Sequence, residues 1–266
     1  MENVLPLKRF SQNYLTDNNI LNKIVKEINP VSGDLIIEIG PGRGALTSKL
    51  NESEAQLIAV EIDKRVKEEL AEKFPRVKII NGDFLKADLR QFISAEFKKL
   101  RIAGNIPYNL TSPIIFKMIE NSDIINDAVF MVQYEVAKRI TADKGSKDYS
   151  ILSVLLKYFS DVKFCFKVSP NVFYPKPKVY SAVIHIFMNH RRVDSQIKKT
   201  FIEIVKASFG KRRKTLKNSL RESIFASVDF NNSGVDLSLR AEQLDIEDFE
   251  KLAAFSQNHP LHNSVR

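Results

Sequence analysis

The chain has 266 residues, a length that suits one large domain or two modest ones. Its 44% hydrophobic content supplies a sizeable core, and 27% charged residues argue for a soluble protein. A net charge of +9 and a pI near 9.4 favour a polyanionic partner, nucleic acid ahead of an acidic membrane surface. No apolar run reaches bilayer-spanning length, and the opening MENVLPLKRF lacks the apolar stretch of a signal peptide. A cytoplasmic protein without a membrane partner is therefore expected. The single cysteine, Cys165, excludes an internal disulfide and disfavours a thiolate metal cage. It reads as a buried strand residue rather than a nucleophile. His185, His190, His259 and His262 show no metal-ligand spacing with acidic partners, so no metal is expected.

In chain order, apolar runs at 35–39, 56–62, 77–80 and 100–103 read as strands. The stretches between them include a helix ending at Leu50 and another over 64–74, capped by Asp63 and stopped by Pro75. This alternation predicts successive βα units in a parallel sheet. Further on, 113–119 reads as an apolar helix, 128–133 as a strand and 151–159 as a helix. Two β-rich runs, 162–168 and 179–187, read as a hairpin closing the sheet. Beyond about residue 190 the texture changes to helices and polar loops without a convincing strand. The expected domains are therefore 1–190 and 191–266.

Gly40-Pro-Gly-Arg-Gly44 follows the first predicted strand and opens a helix, a turn that brings main-chain amides close to a ligand. Its spacing lacks the third glycine position of the dinucleotide fingerprint, which disfavours a nicotinamide oxidoreductase. Gly40, Glu61, Asp83 and Asn105 follow at intervals of 21, 22 and 22 residues. Each falls at or just past the C-terminal end of a predicted strand, where open α/β sheets hold ligands. There Glu61 can accept hydrogen bonds from both hydroxyls of a ribose and Asp83 from an adenine amine, while Phe84 offers the ring an apolar face. Singly, each carboxylate reads as a loop acid or helix cap; in phase with the βα repeat, they read as an adenosyl-cofactor site.

Asn105-Ile-Pro-Tyr108 carries the expected chemistry. An exocyclic base amine is a poor nucleophile because its lone pair is delocalised into the ring. The Asn105 side-chain oxygen and the Ile106 carbonyl can accept its two hydrogens and turn the nitrogen towards pyramidal geometry. Pro107 biases Ile106 towards an extended conformation, and Tyr108 can stack on a base drawn out of its helix. In-line alignment with a sulfonium methyl is then the main remaining requirement.

At these residues the chain closely resembles the rRNA adenine N6-dimethyltransferases of the KsgA (RsmA) family. The resemblance runs from about Phe10 to Leu220. Its motifs are Phe10-Ser-Gln-Asn-Tyr-Leu15, Glu38-Ile-Gly-Pro-Gly-Arg-Gly-Ala-Leu-Thr47, Val60-Glu-Ile-Asp63, Gly82-Asp-Phe-Leu85 and Gly104-Asn-Ile-Pro-Tyr-Asn109. Val172-Phe-Tyr-Pro-Lys-Pro-Lys-Val179, Ser181-Ala-Val183 and the basic stretch 209–220 follow in the family's order. The resemblance implies an α/β fold: a Rossmann-like class I methyltransferase sheet with a small all-helical C-terminal domain. It implies S-adenosyl-L-methionine as donor, S-adenosyl-L-homocysteine as product, and two adjacent adenines near the 3′ end of 16S rRNA as substrate, each dimethylated within the 30S subunit. A monomer with a role in small-subunit biogenesis is the accompanying expectation. Carried over by position, cofactor contacts fall on Gln12, Asn13, Leu15, Gly40, Gly42, Glu61, Ile62, Asp83, Phe84 and Asn105. The catalytic loop is Asn105, Ile106, Pro107 and Tyr108, with Phe173 beside the target base. Ser11, Tyr134 and Tyr180 depart from the family's usual glycine, basic and acidic residues.

Lys211, Arg212, Arg213, Lys214, Lys217 and Arg221 form a run with no acid before Glu222, and they read as phosphate contacts ahead of a merely solvated helix face. Two alternatives stay open at this point. One is the related adenine methyltransferase of large-subunit rRNA, disfavoured by the Gly-Pro-Gly turn, Thr111-Ser-Pro113 and Arg212-Arg-Lys-Thr-Leu216. The other is an assembly or transcription factor that keeps the fold without activity, disfavoured by the intact site residues.

Overall fold

The computed structural model describes residues 13–189, 195–211 and 213–258. In chain order the elements are β1 (Tyr14–Leu15), α1 (Asn18–Ile28), β2 (Leu35–Ile39), α2 (Ala45–Leu50), β3 (Gln56–Glu61), α3 (Lys64–Lys73), β4 (Lys78–Asn81) and β5 (Leu100–Asn105). There follow α4 (Thr111–Glu120), β6 (Ile125–Gln133), α5 (Tyr134–Ile140), α6 (Ile151–Phe159), β7 (Ser160–Val168), β8 (Phe173–Tyr174) and β9 (Ser181–Met188). Helices α7 (Ser195–Phe209), α8 (Leu216–Arg221) and α9 (Ile246–Asn258) complete the series. Two compact units result: the described residues up to Ala137 with Ser160–Asn189, and Lys138–Phe159 with the described residues after His190.

The first unit is built on a seven-stranded sheet of order β4-β3-β2-β5-β6-β9-β7. The first five strands are parallel, and β9 runs antiparallel to both β6 and β7. The expected hairpin thus forms, but its second strand is the inner one. Strand β2 is buried along its whole length, and β3 along all but its first residue. Such unbroken apolar runs follow from helices covering both faces of a parallel sheet. Helix α1, which the sequence reading leaves out, starts where Asp17 accepts a hydrogen bond from the Ile20 amide and stops where Asn29 turns left-handed at φ 48°. Asp63 caps α3 as expected, accepting from the Arg65 amide.

Cys165 lies on β7, as expected, but it is half-buried rather than buried. It occupies a bulge, where the register against β9 slips between Phe164 and Phe166. Its thiol donates to the Glu27 carboxylate at 3.4 Å, and burial followed by the Glu27 charge pushes the thiol up to about 12. A thiol so poised is a poor nucleophile.

The second unit is helical among its described residues. Tyr158 of α6 stacks on Phe201 of α7 at 4.0 Å, and Phe209 stacks on Phe249 of α9 at 6.0 Å. This aromatic packing explains why 138–159, which the sequence reading assigns to the first domain, groups with the second unit. Chain continuity conceals that grouping, because α6 runs directly into β7.

Candidate active site

A cleft of about 520 Å³ opens over the C-terminal ends of β2, β3, β4 and β5, within the size range of small-molecule and cofactor sites. It lies where the strand order reverses, with β2 leading out to β3 on one side and β5 leading out to β6 on the other. The glycine turn forms its floor. Gly42 adopts φ +55°, and a Cβ there would stand 2.7 Å from the Tyr14 ring. Any larger residue would therefore displace β1, which brings Asn13, Tyr14 and Leu15 onto the cleft wall. Gly104 is needed for a different reason: a Cβ on β5 would lie 2.7 Å from the Ile39 carbonyl oxygen of the neighbouring strand.

Glu61, the last residue of β3, is 3% exposed. One carboxylate oxygen accepts from the Gly42 amide at 3.0 Å, and the other accepts from the Asp63 amide at 2.9 Å. These two bonds fix the carboxylate plane, leaving each oxygen a further lone pair. Burial raises its pKa, opposed by the amide hydrogen bonds. Behind it, Glu38 of β2 also lines the cleft and is fully buried, with its Oε2 lacking a hydrogen-bond partner among the described residues. Burial, together with the Glu61 charge, pushes Glu38 up to about 7.

Asp83 caps the short turn Phe84–Lys86 by accepting from the Leu85 amide at 2.9 Å. The Phe84 ring beside it is 5% exposed and lines the cleft, with the Lys117 ammonium 5.8 Å from its centre. Lys117 donates to the Leu85 and Ala87 carbonyls, which tethers this loop to α4. Ile62 lines the cleft half-exposed.

At the end of β5 the Asn105 amide nitrogen donates to the Asn13 carbonyl at 2.8 Å. A carbonyl only accepts, so this bond fixes which face of the amide carries nitrogen and turns Oδ1 the other way. The Ile106 amide donates to Met131 of β6 at 3.0 Å, anchoring the loop to the sheet. Pro107 is extended at φ −54° and ψ 130°, and the Tyr108 hydroxyl shares a 2.9 Å hydrogen bond with the Ser181 hydroxyl. Burial raises the Tyr108 pKa and Ser181 opposes it, so the phenol stays neutral at physiological pH.

One cleft thus gathers Asn13, Leu15, Gly40, Gly42, Glu61, Ile62, Asp83, Phe84 and Asn105–Tyr108. Gln12 and Arg212 lie outside the described residues. Phe173 is placed differently from the expectation: it is 5% exposed, packs in the core cluster with Leu15 and is absent from the cleft wall. The β1–β8 ladder pairs Leu15 with Phe173 and Tyr14 with Tyr174, and of the two β8 residues it is Tyr174 that lines the cleft. The remaining candidates belong to the second unit. Lys211 and Lys214 both pair with Glu222, which together hold that carboxyl down to about 2, while Arg213 is exposed.

Residues 7–258 match the profile of the family described as Ribosomal RNA adenine dimethylase. The chain belongs to this family. Among its relatives, a Ribosomal RNA small subunit methyltransferase A of Chlorobium phaeobacteroides (strain BS1) is 43% identical over 96% of this chain and 94% of its own. A protein of the same name from Francisella tularensis subsp. novicida (strain U112) is 43% identical over 93% and 96%. A crystal structure of a dimethyladenosine transferase from Plasmodium falciparum superposes with TM-score 0.73 at 27% identity, covering 92% of this chain and 98% of that one. The 23S rRNA methyltransferase ErmE superposes at 0.65 with 26% identity, over 91% and 99%. The mixed α/β architecture with a parallel sheet and a helical C-terminal region is thus the family's own. Among the wall residues that the sequence reading did not assign to the site are Tyr14, Glu38 and Tyr174. The first two lie inside the motifs that carry the resemblance, and Tyr174 sits next to Phe173. Among the described residues no helix is long and apolar enough to cross a membrane, and no group of three or more His, Cys, Asp or Glu is arranged to hold a metal.

Proposed function

We propose that this chain dimethylates the N6 amines of two adjacent adenines near the 3′ end of 16S rRNA, acting on the 30S subunit or its precursor with S-adenosyl-L-methionine as donor. The observation that carries the reading is the Asn105 amide, held by the Asn13 carbonyl in the same cleft as the Glu61 carboxylate. The residues present fit the cofactor: the cleft has a suitable volume, and its wall buries a fixed carboxylate and an unpartnered carboxyl oxygen of Glu38. Both suit a ligand bearing hydroxyls and positive charge. When bound, the cofactor supplies an electrophilic methyl on a sulfonium centre and is left as S-adenosyl-L-homocysteine.

In this reading Glu61 accepts from the two ribose hydroxyls and Asp83 from the adenine amine, with Phe84 and Ile62 against the ring. Asn13, Leu15, Gly40 and Gly42 complete the wall. Asn105 Oδ1 and the Ile106 carbonyl accept the two hydrogens of the target N6 and hold its lone pair outwards. Pro107 keeps that carbonyl extended, and Tyr108 stacks on the extruded base. Lys211, Arg213 and Lys214 meet phosphates, Lys211 and Lys214 by exchanging the Glu222 carboxylate for RNA. The chain works as a cytoplasmic monomer, with the unit built on the seven-stranded sheet as methyltransferase domain and the helical unit, Lys138–Phe159 included, as RNA-contacting domain.

The names and identity of the small-subunit relatives support 16S over 23S rRNA. The test is to incubate purified protein and labelled donor with unmethylated 30S subunits and, separately, with large-subunit rRNA. Transfer to 30S alone is expected. Transfer to large-subunit rRNA alone would overturn the assignment.

A further inference from the structure

A second group of aromatic and basic side chains lies beside the cleft on the same edge of the sheet. Tyr180 immediately precedes Ser181, whose hydroxyl holds Tyr108. Tyr134 immediately follows β6, and its amide donates to the Tyr180 carbonyl at 2.9 Å. Lys167 of β7 places its ammonium 4.0 Å from the centre of the Tyr180 ring and 4.6 Å from that of Tyr134. Phe164 meets Tyr134 edge-on at 6.2 Å. This is a surface and not a core: Tyr180 is 49% and Phe164 40% exposed, and Lys167 is exposed. No carboxylate pairs with Lys167 among the described residues.

Two tyrosines around a lysine leave a cation with no carboxylate among the described residues beside an exposed ring. That combination suits single-stranded nucleic acid, in which a base offers a face for stacking and its phosphate a charge. An acidic peptide would use the cation and leave the rings idle.

We propose that Tyr180, Tyr134 and Lys167 form a second nucleotide subsite, in which a base flanking the methylated adenine stacks on Tyr180 and its phosphate meets the Lys167 ammonium. Its location relative to the methylated base rests on the reading of the cleft given above; the RNA contact itself does not. Tyr134 acts by holding the lysine ammonium and the 180 main chain in place. The subsite keeps the strand single and extended as it leaves the cleft.

The test is the binding of a short fluorescein-labelled single-stranded oligoadenylate, followed by anisotropy at several salt concentrations. Calorimetric binding of S-adenosyl-L-methionine reports that each variant is folded. Tyr180→Ala is expected to weaken RNA binding about tenfold, and Tyr180→Phe to stay within about twofold of wild type. Lys167→Gln is expected to reduce the slope of log affinity against log salt by roughly 0.7. Oligonucleotide binding by folded Tyr180→Ala equal to wild type would overturn the proposal. So would a Tyr180→Ala defect seen with 30S subunits and absent with the oligonucleotide, which would assign the face to a ribosomal protein. Tyr180-dependent oligonucleotide binding by a wild-type protein that fails to methylate 30S would uphold the RNA contact and refute the reading of the cleft.

Discussion

The two ends of the same sheet bury acidic side chains in opposite ways. At the N-terminal ends of β5 and β6, Arg101 binds Asp127 through two nitrogens, at 2.8 and 2.7 Å, and Asp34 at 2.6 Å. His185 adds a 2.7 Å contact to the same Asp127. Although burial opposes it, the Arg101 and His185 contacts hold Asp127 below the usual carboxylate range. At the C-terminal ends, Glu38 and Glu61 are as deeply buried, yet among the described residues no lysine or arginine pairs with either. Burial raises both. A saturated buried charge network holds a fold together, whereas buried carboxylates without a cation are a cost that a ligand can relieve. The contrast separates scaffold from site without reference to any relative.

The sharpest way to break this comparison is to cross the two ends. Asp127→Ala leaves the half-buried Arg101 guanidinium with only one of its two carboxylate partners, and should destabilise the fold by about 2–4 kcal/mol in chemical denaturation. Its S-adenosyl-L-methionine affinity, measured by calorimetry where the variant is folded, should match wild type; a large loss of affinity would tie the network to the site. Glu61→Gln should act at the site. Both Glu61 oxygens accept main-chain amides, and a carboxamide keeps only one acceptor, so its NH2 group faces an amide donor. Cofactor affinity should fall by about tenfold to a hundredfold, on the order of 1.5–3 kcal/mol.

The pH dependence of stability sharpens the same contrast. Glu38 has a folded-state pKa of about 7, above its ordinary value of 4.5, so the folded state holds its proton more tightly than the unfolded chain. Its contribution to stability is fully present below about 4.5, declines as pH rises towards 7 and is lost above that. Glu38→Gln should therefore gain on wild type between pH 5 and pH 8 by roughly 2 kcal/mol. Denaturation midpoints at the two pH values check this, and parallel shifts would refute it. The smallest effect belongs to the second unit. Glu222→Gln frees Lys211 and Lys214 of an exposed ion pair, with little change in stability. RNA binding should tighten modestly at low salt, and an unchanged affinity would remove those lysines from the RNA contact.

Much of this arrangement was legible in the sequence. The interval of 21, 22 and 22 residues follows from the βα repeat, and the structure places Gly40, Glu61, Asp83 and Asn105 in one cleft. The cap at Asp63 and the helix over Ile151–Phe159 were also readable from local patterns. What escaped has a physical reason in each case. The β1–β8 ladder joins two-residue strands far apart in the chain, too short for any period to show, so the sequence does not reveal that Tyr174 rather than Phe173 lines the cleft. Glu38 sits within an otherwise apolar central strand, where its fully buried setting is a matter of tertiary packing. The assignment of 138–159 to the second unit depends on which aromatic rings meet, and Tyr158 and Phe201 are brought together only by the fold.

The most direct test of the central claim is methyl transfer from labelled donor to unmethylated 30S subunits by wild type and Asn105→Ala, with modified nucleotides mapped and 30S association followed by sedimentation. Wild type is expected to yield two adjacent N6-dimethylated adenines near the 3′ end of 16S rRNA. Asn105→Ala is expected to lose transfer and retain 30S association. Wild-type-like transfer by Asn105→Ala would remove Asn105 from the chemistry.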